Sequence, residues 1–169
     1  MDESLLIALE TPRSMERGPL LLAGERSRYP MTEESVYALG EQWARFGAVI
    51  PAVPGLTGAG AYGLFWGMFS GGASFEQFTA VEVEQLSGLP DSFATLTVPA
   101  SNYVVFPHPH HVSKLRNTVT TIWHKWLPES GHVAAGGAGD IPEFIEWYGQ
   151  DFDPMTGTGT MEVWVPVKA

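Results

Sequence analysis

Apolar residues recur along this chain with two spacings, one typical of helices and one typical of strands. Residues 31–50 and 111–131 keep helical spacing, which predicts two helices that each bury one face. The apolar stripe of the first helix consists of Val36, Leu39, Trp43, Phe46 and Ile50, and that of the second consists of Leu115, Val119, Ile122, Trp123 and Trp126. Each stripe needs a partner surface, and the predicted strands can supply it.

The other apolar segments are shorter, and glycine and proline separate them. Short apolar segments bounded in this way predict strands in residues 18–30, 62–70, 75–86, 93–108, 143–152 and 160–169. The short sequence Gly-Gly-Ala at residues 71–73 lies between the second and third of these segments and indicates a hairpin.

The predicted elements follow the same order twice. Strand, helix, strand and strand occur in residues 18–88 and again in residues 89–169, although the residues themselves match poorly between the halves. We therefore predict an α+β fold of duplicated βαββ units with pseudo-twofold symmetry, in which two antiparallel sheets carry one helix each and a ligand groove lies between the halves. Residues 1–17 are expected to be a loosely attached lead-in segment, and residues 18–169 to form a single domain.

Composition and charge narrow the functional classes. The chain has 169 residues, no cysteine and a formal net charge of −10. This surplus of acid argues against direct nucleic-acid binding, because phosphate recognition requires a basic face. The absence of cysteine removes thiolate sites and suits a reducing cytoplasm. No apolar stretch is long enough to span a bilayer and no signal peptide is recognisable, so we expect a cytoplasmic protein without membrane contact.

One acidic residue, Glu146, stands among large aromatic side chains in the segment PEFIEWYGQDF. If this segment is a strand, its period of two places Phe144, Glu146 and Tyr148 on one face. Two rings and a carboxylate that face together offer a charge and cation–π surfaces to a cationic ligand. The alternative is that Glu146 hydrogen-bonds a backbone amide or a tyrosine hydroxyl and only stabilises the fold.

Several segments of the chain resemble GyrI-like proteins, whose domain is shared with the effector-binding half of AraC- and MerR-type regulators. The resemblance rests on VPASNYVVFPH, IWHKWLPESG, PEFIEWYGQDFD and MEVWVPV in the second half, and on YGLFWGMF and FEQFTAVEVEQL in the first. It implies the duplicated βαββ fold and a pocket between the halves for small lipophilic molecules, often cationic and aromatic. In related multidrug-sensing domains a buried glutamate meets the ligand's charge, and the matching residue here is Glu146, with Tyr148 beside it.

Other side chains could line the same pocket. These candidates are Trp147, Tyr62, Trp66, Phe78, Glu82, Tyr103 and Phe106. On the central hairpin, a strand aims only alternate members of Tyr62, Phe65 and Trp66 at a groove, so some of these aromatic residues must belong to the core.

Three functions remain open from the sequence. The first is a stand-alone small-molecule binding protein with Glu146 as counter-ion, since no helix-turn-helix segment precedes the first strand. The second is a GyrI-like hydrolase of reactive, cyclopropanoid-type compounds. In that case Glu146 acts as the general base, Tyr148 or Trp147 orients the substrate and Glu82 assists. The third, inhibition of DNA gyrase, ranks last because the chain has no dense acidic run. No cofactor is expected, and a protein partner or a homodimer remains open.

A cluster of three histidines, His108, His110 and His111, precedes the second helix. Three imidazoles could hold zinc or nickel. Short clusters without supporting ligands are more often exposed loops, so we expect no metal site.

Overall fold

The computed structural model describes residues 3–169, and its strands form one eight-stranded sheet in which all neighbours are antiparallel. The strands are β1 (Arg13–Arg17), β2 (Leu20–Pro30), β3 (Leu56–Trp66), β4 (Ser74–Val83), β5 (Ala94–Val98), β6 (Ser101–Pro107), β7 (Phe144–Tyr148) and β8 (Met161–Val167). The predicted α+β class is confirmed.

The sheet is continuous where two separate sheets were predicted. Its strand order is β1-β6-β8-β7-β3-β4-β2-β5. The first half contributes β2, β4 and β3, and the second contributes β6, β8 and β7. Residues 61–65 of β3 pair with residues 144–148 of β7, and this pairing joins the halves into one sheet. The prediction of two sheets is therefore wrong, and the internal duplication stays a prediction.

The two edge strands are exchanged between the halves. Strand β1 pairs with β6 of the second half, and β5 pairs with β2 of the first half. Residues 13–17, which the sequence analysis assigned to a lead-in, thus form an edge of the sheet. Each exchanged strand covers what would otherwise be an unpaired strand edge.

Both predicted helices are present. Helix α1 spans Ser35–Val49. The second helical region starts with a 3₁₀ turn at Val112–Lys114, continues as α2 (Leu115–Thr121), passes through a π-helical turn at Ile122–Trp126 and ends as α3 (Leu127–Ser130). It stops at Gly131, whose φ of 79° gives the left-handed conformation that suits a helix end.

The two faces of the sheet bury different side chains. The helices pack on one face, where Leu115, Val119 and Ile122 join a core with strand residues such as Phe144 and Val163. The opposite face carries a second core, made by strand residues. Its buried aromatic members are Tyr62, Trp66, Phe78, Tyr103 and Trp164. This division decides which side chains can reach a cavity beneath the helices. Among residues 3–169, no helix is long and apolar enough to span a membrane.

Candidate functional site

A cavity of about 680 Å³ lies on the helical face of the sheet, between α1 and the second helical region. Its volume falls within the range of pockets that bind drug-sized molecules. The sheet contributes the floor through β3, β4 and β7, while α1 and α2 contribute the walls. The floor residues are Phe65, Phe75, Gln77, Phe144, Glu146 and Tyr148. The site is therefore a groove between helices over the joined halves of the sheet.

Strand β7 presents Phe144, Glu146 and Tyr148 to this cavity. The alternation of side chains on a strand explains why these three residues line it together, while Ile145 and Trp147 pack with the core on the opposite face. Register places Glu146 beside Gly63 of β3, close to the junction of the two halves.

The carboxylate of Glu146 has few compensating partners. The Tyr148 hydroxyl donates a hydrogen bond to its Oε1 atom at 3.0 Å. Within residues 3–169 no Lys, Arg or His forms an ion pair with it. Desolvation by burial raises the pKa of Glu146 to about 7, and the hydrogen bond from Tyr148 offsets only part of that shift. Near neutral pH this carboxyl group is divided between its neutral and charged forms.

The Tyr148 side chain is linked to the same group. Burial, followed by the negative charge of Glu146, raises the pKa of Tyr148 well above its usual value. Tyr148 therefore stays protonated at physiological pH and acts as a hydrogen-bond donor. Its ring meets the indole of Trp43 edge-on, with ring centroids 5.3 Å apart.

Gly63 allows the Trp43 indole and the Glu146 carboxylate to approach the backbone of β3 closely. A methyl group at this position would lie 3.3 Å from Cζ2 of Trp43 and 3.6 Å from Oε1 of Glu146. The absence of a side chain at Gly63 thus lets the indole and the carboxylate both lie within 3.6 Å of the same position.

Stacked aromatic rings build one end of the cavity. Phe65 stacks on Phe144 with ring centroids 4.8 Å apart, and Phe69 stacks on Trp123 at 4.7 Å. Trp123 also lies 5.6 Å from Phe144. The rings hold one another in place and offer apolar surface to an aromatic ligand.

Glu143 holds the turn that carries part of this aromatic wall. It is 7% exposed, and its carboxylate accepts hydrogen bonds from the backbone N–H groups of Met68 at 2.7 Å and Phe69 at 3.2 Å. Burial raises the pKa of Glu143 above its usual value, although the backbone donors act against that shift. Met68 and Phe69 line the cavity, so Glu143 fixes its shape from outside.

Glu143→Ala is expected to lower the free energy of unfolding by about 1–3 kcal/mol, because buried backbone donors lose their acceptor. Urea denaturation followed by tryptophan fluorescence measures this loss. Asp140→Ala removes an exposed acid nearby and should change stability by less than about 0.5 kcal/mol. Equal stability of the two variants would contradict the role given to Glu143.

The structure places the other predicted pocket residues outside the cavity. Trp147, Tyr62, Trp66, Phe78 and Tyr103 pack on the opposite face of the sheet. Phe106 faces the helices, but its ring packs edge-on against Trp126 instead of lining the cavity. Glu82 also lies away from it, since it pairs with Arg17 at 2.5 Å and accepts a hydrogen bond from Tyr62. Strand alternation accounts for the residues on the opposite face.

The histidines before the second helix bond locally. The ring nitrogens of His108 lie 2.7 Å from Oγ1 of Thr118 and 3.0 Å from the carbonyl oxygen of His111. The Nδ1 atom of His111 accepts from the backbone N–H of Ser113. In the part of the chain that the structure describes, no group of three or more His, Asp or Glu residues is arranged to hold a metal ion. His111 caps the start of the helical region, and His108 bonds it to α2 through Thr118.

Several residues that were not predicted to line the pocket border the cavity, namely Trp43, Met68, Phe69 and Arg116. Phe65 also borders it, as one of the three hairpin aromatics between which the sequence left the choice open. Trp43 was identified only as part of a buried helix stripe, and a wide stripe that faces a sheet can also border a groove. For Phe65, alternation with the core residues on either side was a usable signal.

Comparisons with known proteins agree with this architecture. Residues 11–168 match the family described as GyrI-like small molecule binding domain. No curated protein matches the chain. Among solved structures, SAV2435 bound to tetraphenylphosphonium has a TM-score of 0.75 at 20% identity, with 95% of each chain covered.

Two further structures share the fold at 20% and 13% identity. A putative bacterial transcription regulation protein from Staphylococcus aureus MU50 has a TM-score of 0.70 at 20% identity, with 96% of this chain and 100% of that chain covered. A hydrolase from Listeria innocua has a TM-score of 0.51 at 13% identity, with 98% and 96% covered. The family match extends over nearly the whole sequence, and this chain therefore belongs to the family of GyrI-like small molecule binding domains.

Proposed function

We propose that this domain binds lipophilic aromatic cations, with the carboxylate of Glu146 as counter-ion. The observation that carries the proposal is a carboxylate at the floor of an aromatic cavity, without a cationic partner among residues 3–169. A charge held in this way is costly unless something compensates it. A cationic ligand supplies the missing charge and gains apolar contact at the same time.

The surrounding rings suit such a ligand. Trp43 and Tyr148 border the carboxylate, and aromatic faces attract cations through their quadrupoles. The stacked pair of Phe65 and Phe144 offers a flat apolar surface on the same floor. Tetraphenylphosphonium, bound by the structural neighbour SAV2435, combines a delocalised cation with aromatic rings. It is therefore a suitable first probe for this chain.

The test compares tetraphenylphosphonium with neutral triphenylphosphine oxide by tryptophan fluorescence at pH 8. We expect Glu146→Gln to weaken binding of the cation by about 1–3 kcal/mol, the range for losing a charged hydrogen-bonding partner in a buried site. The affinity of the neutral compound should change little. The wild-type protein should favour the cation.

Glu41→Gln is the matched control, because it removes the same charge from an exposed position of α1 outside the cavity. It should leave both affinities within about twofold, as expected for a screened surface charge. Equal binding of both compounds by wild type and Glu146→Gln would remove Glu146 from recognition.

Hydrolysis is the second candidate, and the state of Glu146 favours it. A carboxyl group with a pKa of about 7 suits proton transfer to and from water at neutral pH. Tyr148 is placed to orient a substrate beside Glu146, whereas Trp147 and Glu82 lie outside the cavity. The roles assigned to those two residues are therefore withdrawn.

Turnover separates the two candidates. A hydrolase consumes a cyclopropanoid compound and yields a product heavier by one water, which mass spectrometry detects. Glu146→Gln should abolish that product if Glu146 is the base. A binding domain returns the compound unchanged after prolonged incubation.

A further inference from the structure

One arginine at the mouth of the cavity, Arg116, has no carboxylate partner within residues 3–169. The chain contains six arginines, and the five outside the cavity form ion pairs with carboxylates. Arg116, near the start of α2, lines the cavity and is exposed. Among residues 3–169 its guanidinium has neither an ion pair nor a hydrogen bond.

A shortage of acids does not explain the unpaired guanidinium. The chain has 19 acidic residues against nine lysines and arginines. Glu33 borders the same cavity, yet no N···O distance within 4.0 Å joins it to Arg116. The five donors of a guanidinium are arranged as a planar fork that fits a carboxylate or a similar acceptor in two parallel hydrogen bonds. Arg116 is thus available to a ligand in the cavity.

We infer that Arg116 is a second recognition group, and that the preferred ligands are aromatic cations that also carry a carboxylate or an equivalent acceptor. The inference rests on the proposed function, because Glu146 must hold the cationic end of the same molecule. Glu146 belongs to the floor on β7, whereas Arg116 belongs to the wall on α2. A ligand with both charges can lie across the apolar surface between them.

The charged side chains at the mouth of the cavity also determine how such a ligand is oriented. Glu33 precedes α1 and contributes a negative charge to the lining, while Arg116 contributes the positive charge from α2. A ligand carboxylate is therefore attracted towards α2 and repelled from Glu33. A purely cationic ligand gains nothing from Arg116, and this difference can be measured.

The experiment uses two matched dyes at pH 8, where Glu146 is ionised. Rhodamine B carries a cationic ring system and a free carboxylate, and its ethyl ester carries the same cation without the carboxylate. Fluorescence anisotropy gives the affinity of each dye for wild type, Arg116→Gln, Lys114→Gln and Glu146→Gln. Lys114 is exposed two residues before Arg116 and does not line the cavity, so its variant controls for net charge.

We expect Arg116→Gln to weaken binding of the free acid by about three- to tenfold, as for a charge-assisted pair open to solvent. The affinity of the ester should stay within about twofold in this variant. Lys114→Gln should leave both affinities within about twofold.

The other outcomes separate this inference from the proposed function. If the ester binds through Glu146 and the ratio of acid to ester affinity is the same in wild type and Arg116→Gln, the role of Arg116 is overturned and the cation site stands. A ratio that falls equally in Lys114→Gln also overturns it, because the effect is then one of net charge. If neither dye binds, or if Glu146→Gln affects neither, the proposed function fails as well.

Discussion

The affinity for a permanently charged lipophilic cation should fall about tenfold for each pH unit below 7 and become constant above about pH 8. The reason is that a bound cation requires the charged form of Glu146, whose pKa is about 7. Below that pH the protein must release a proton before it can pair with the ligand, so each pH unit costs about 1.4 kcal/mol of binding free energy. Affinity therefore increases with pH through the neutral range.

Titration of tetraphenylphosphonium between pH 5.5 and 8.5 measures this dependence. Other ionisable groups are close to the site: Tyr148 stays protonated throughout this range, Glu33 and Arg116 stand at the mouth, and Glu143 holds the neighbouring turn. Glu146→Gln separates their contributions, because in this variant only their effects remain. The same slope in wild type and Glu146→Gln would contradict the assignment to Glu146.

Increasingly large side chains at position 63 should increasingly weaken cation binding. Gly63→Ala places a methyl group 3.3 Å from the Trp43 indole and 3.6 Å from the Glu146 carboxylate, so the indole must shift by a few tenths of an ångström. Gly63→Val adds two more carbons in the same place. Overpacking of this kind lowers the free energy of unfolding by about 1–3 kcal/mol. The displaced indole and the filled space should also weaken cation binding, by about tenfold (about 1.4 kcal/mol) in the alanine variant and by more in the valine variant.

Fluorescence titration and urea denaturation together give binding and stability for this series. Gly18→Ala is the control, because no atom lies within 4 Å of the added methyl group. Unchanged cation affinity in a folded Gly63→Val protein would show that the ligand does not occupy the space between Trp43 and Glu146.

The sequence predicted the facing of β7 well, because that prediction needs only a period of two. Phe144, Glu146 and Tyr148 line one cavity as expected. The helical stripes that contain Trp43 and Leu115 were also recognisable, since each shows apolar spacing over several turns. Local periodicity is enough for such assignments.

The remaining features of the fold and the site depend on which strands pair in three dimensions. The junction of β3 with β7 makes one sheet of the two halves, and no local pattern specifies which strands meet at such a junction. The same pairing places Gly63 beside Glu146, although the two residues are far apart in the sequence. Among the hairpin aromatics, Phe65 faces the cavity whereas Tyr62 and Trp66 face the opposite core. That choice depends on which face the helices cover.

The linear sequence also did not indicate which carboxylates form ion pairs. Both Glu82 and Glu146 were predicted to lie in the pocket. Arg17 on the edge strand β1 pairs with Glu82, whereas among residues 3–169 Glu146 has no cationic partner and accepts a hydrogen bond from Tyr148. Arg17 lies in the segment assigned to a lead-in. The position of β1 at the edge of the sheet thus gives Glu82 a cationic partner that the linear sequence does not reveal.

The most direct test of the cation site counts the protons released on binding. Calorimetric titration of tetraphenylphosphonium at pH 6, in two buffers of different ionisation enthalpy, gives this number from the difference in heat. A pKa of about 7 for Glu146 predicts release of roughly 0.9 proton per bound cation in wild type and close to none in Glu146→Gln. Equal heats in both buffers for a wild-type protein that binds the cation would contradict the counter-ion role of Glu146.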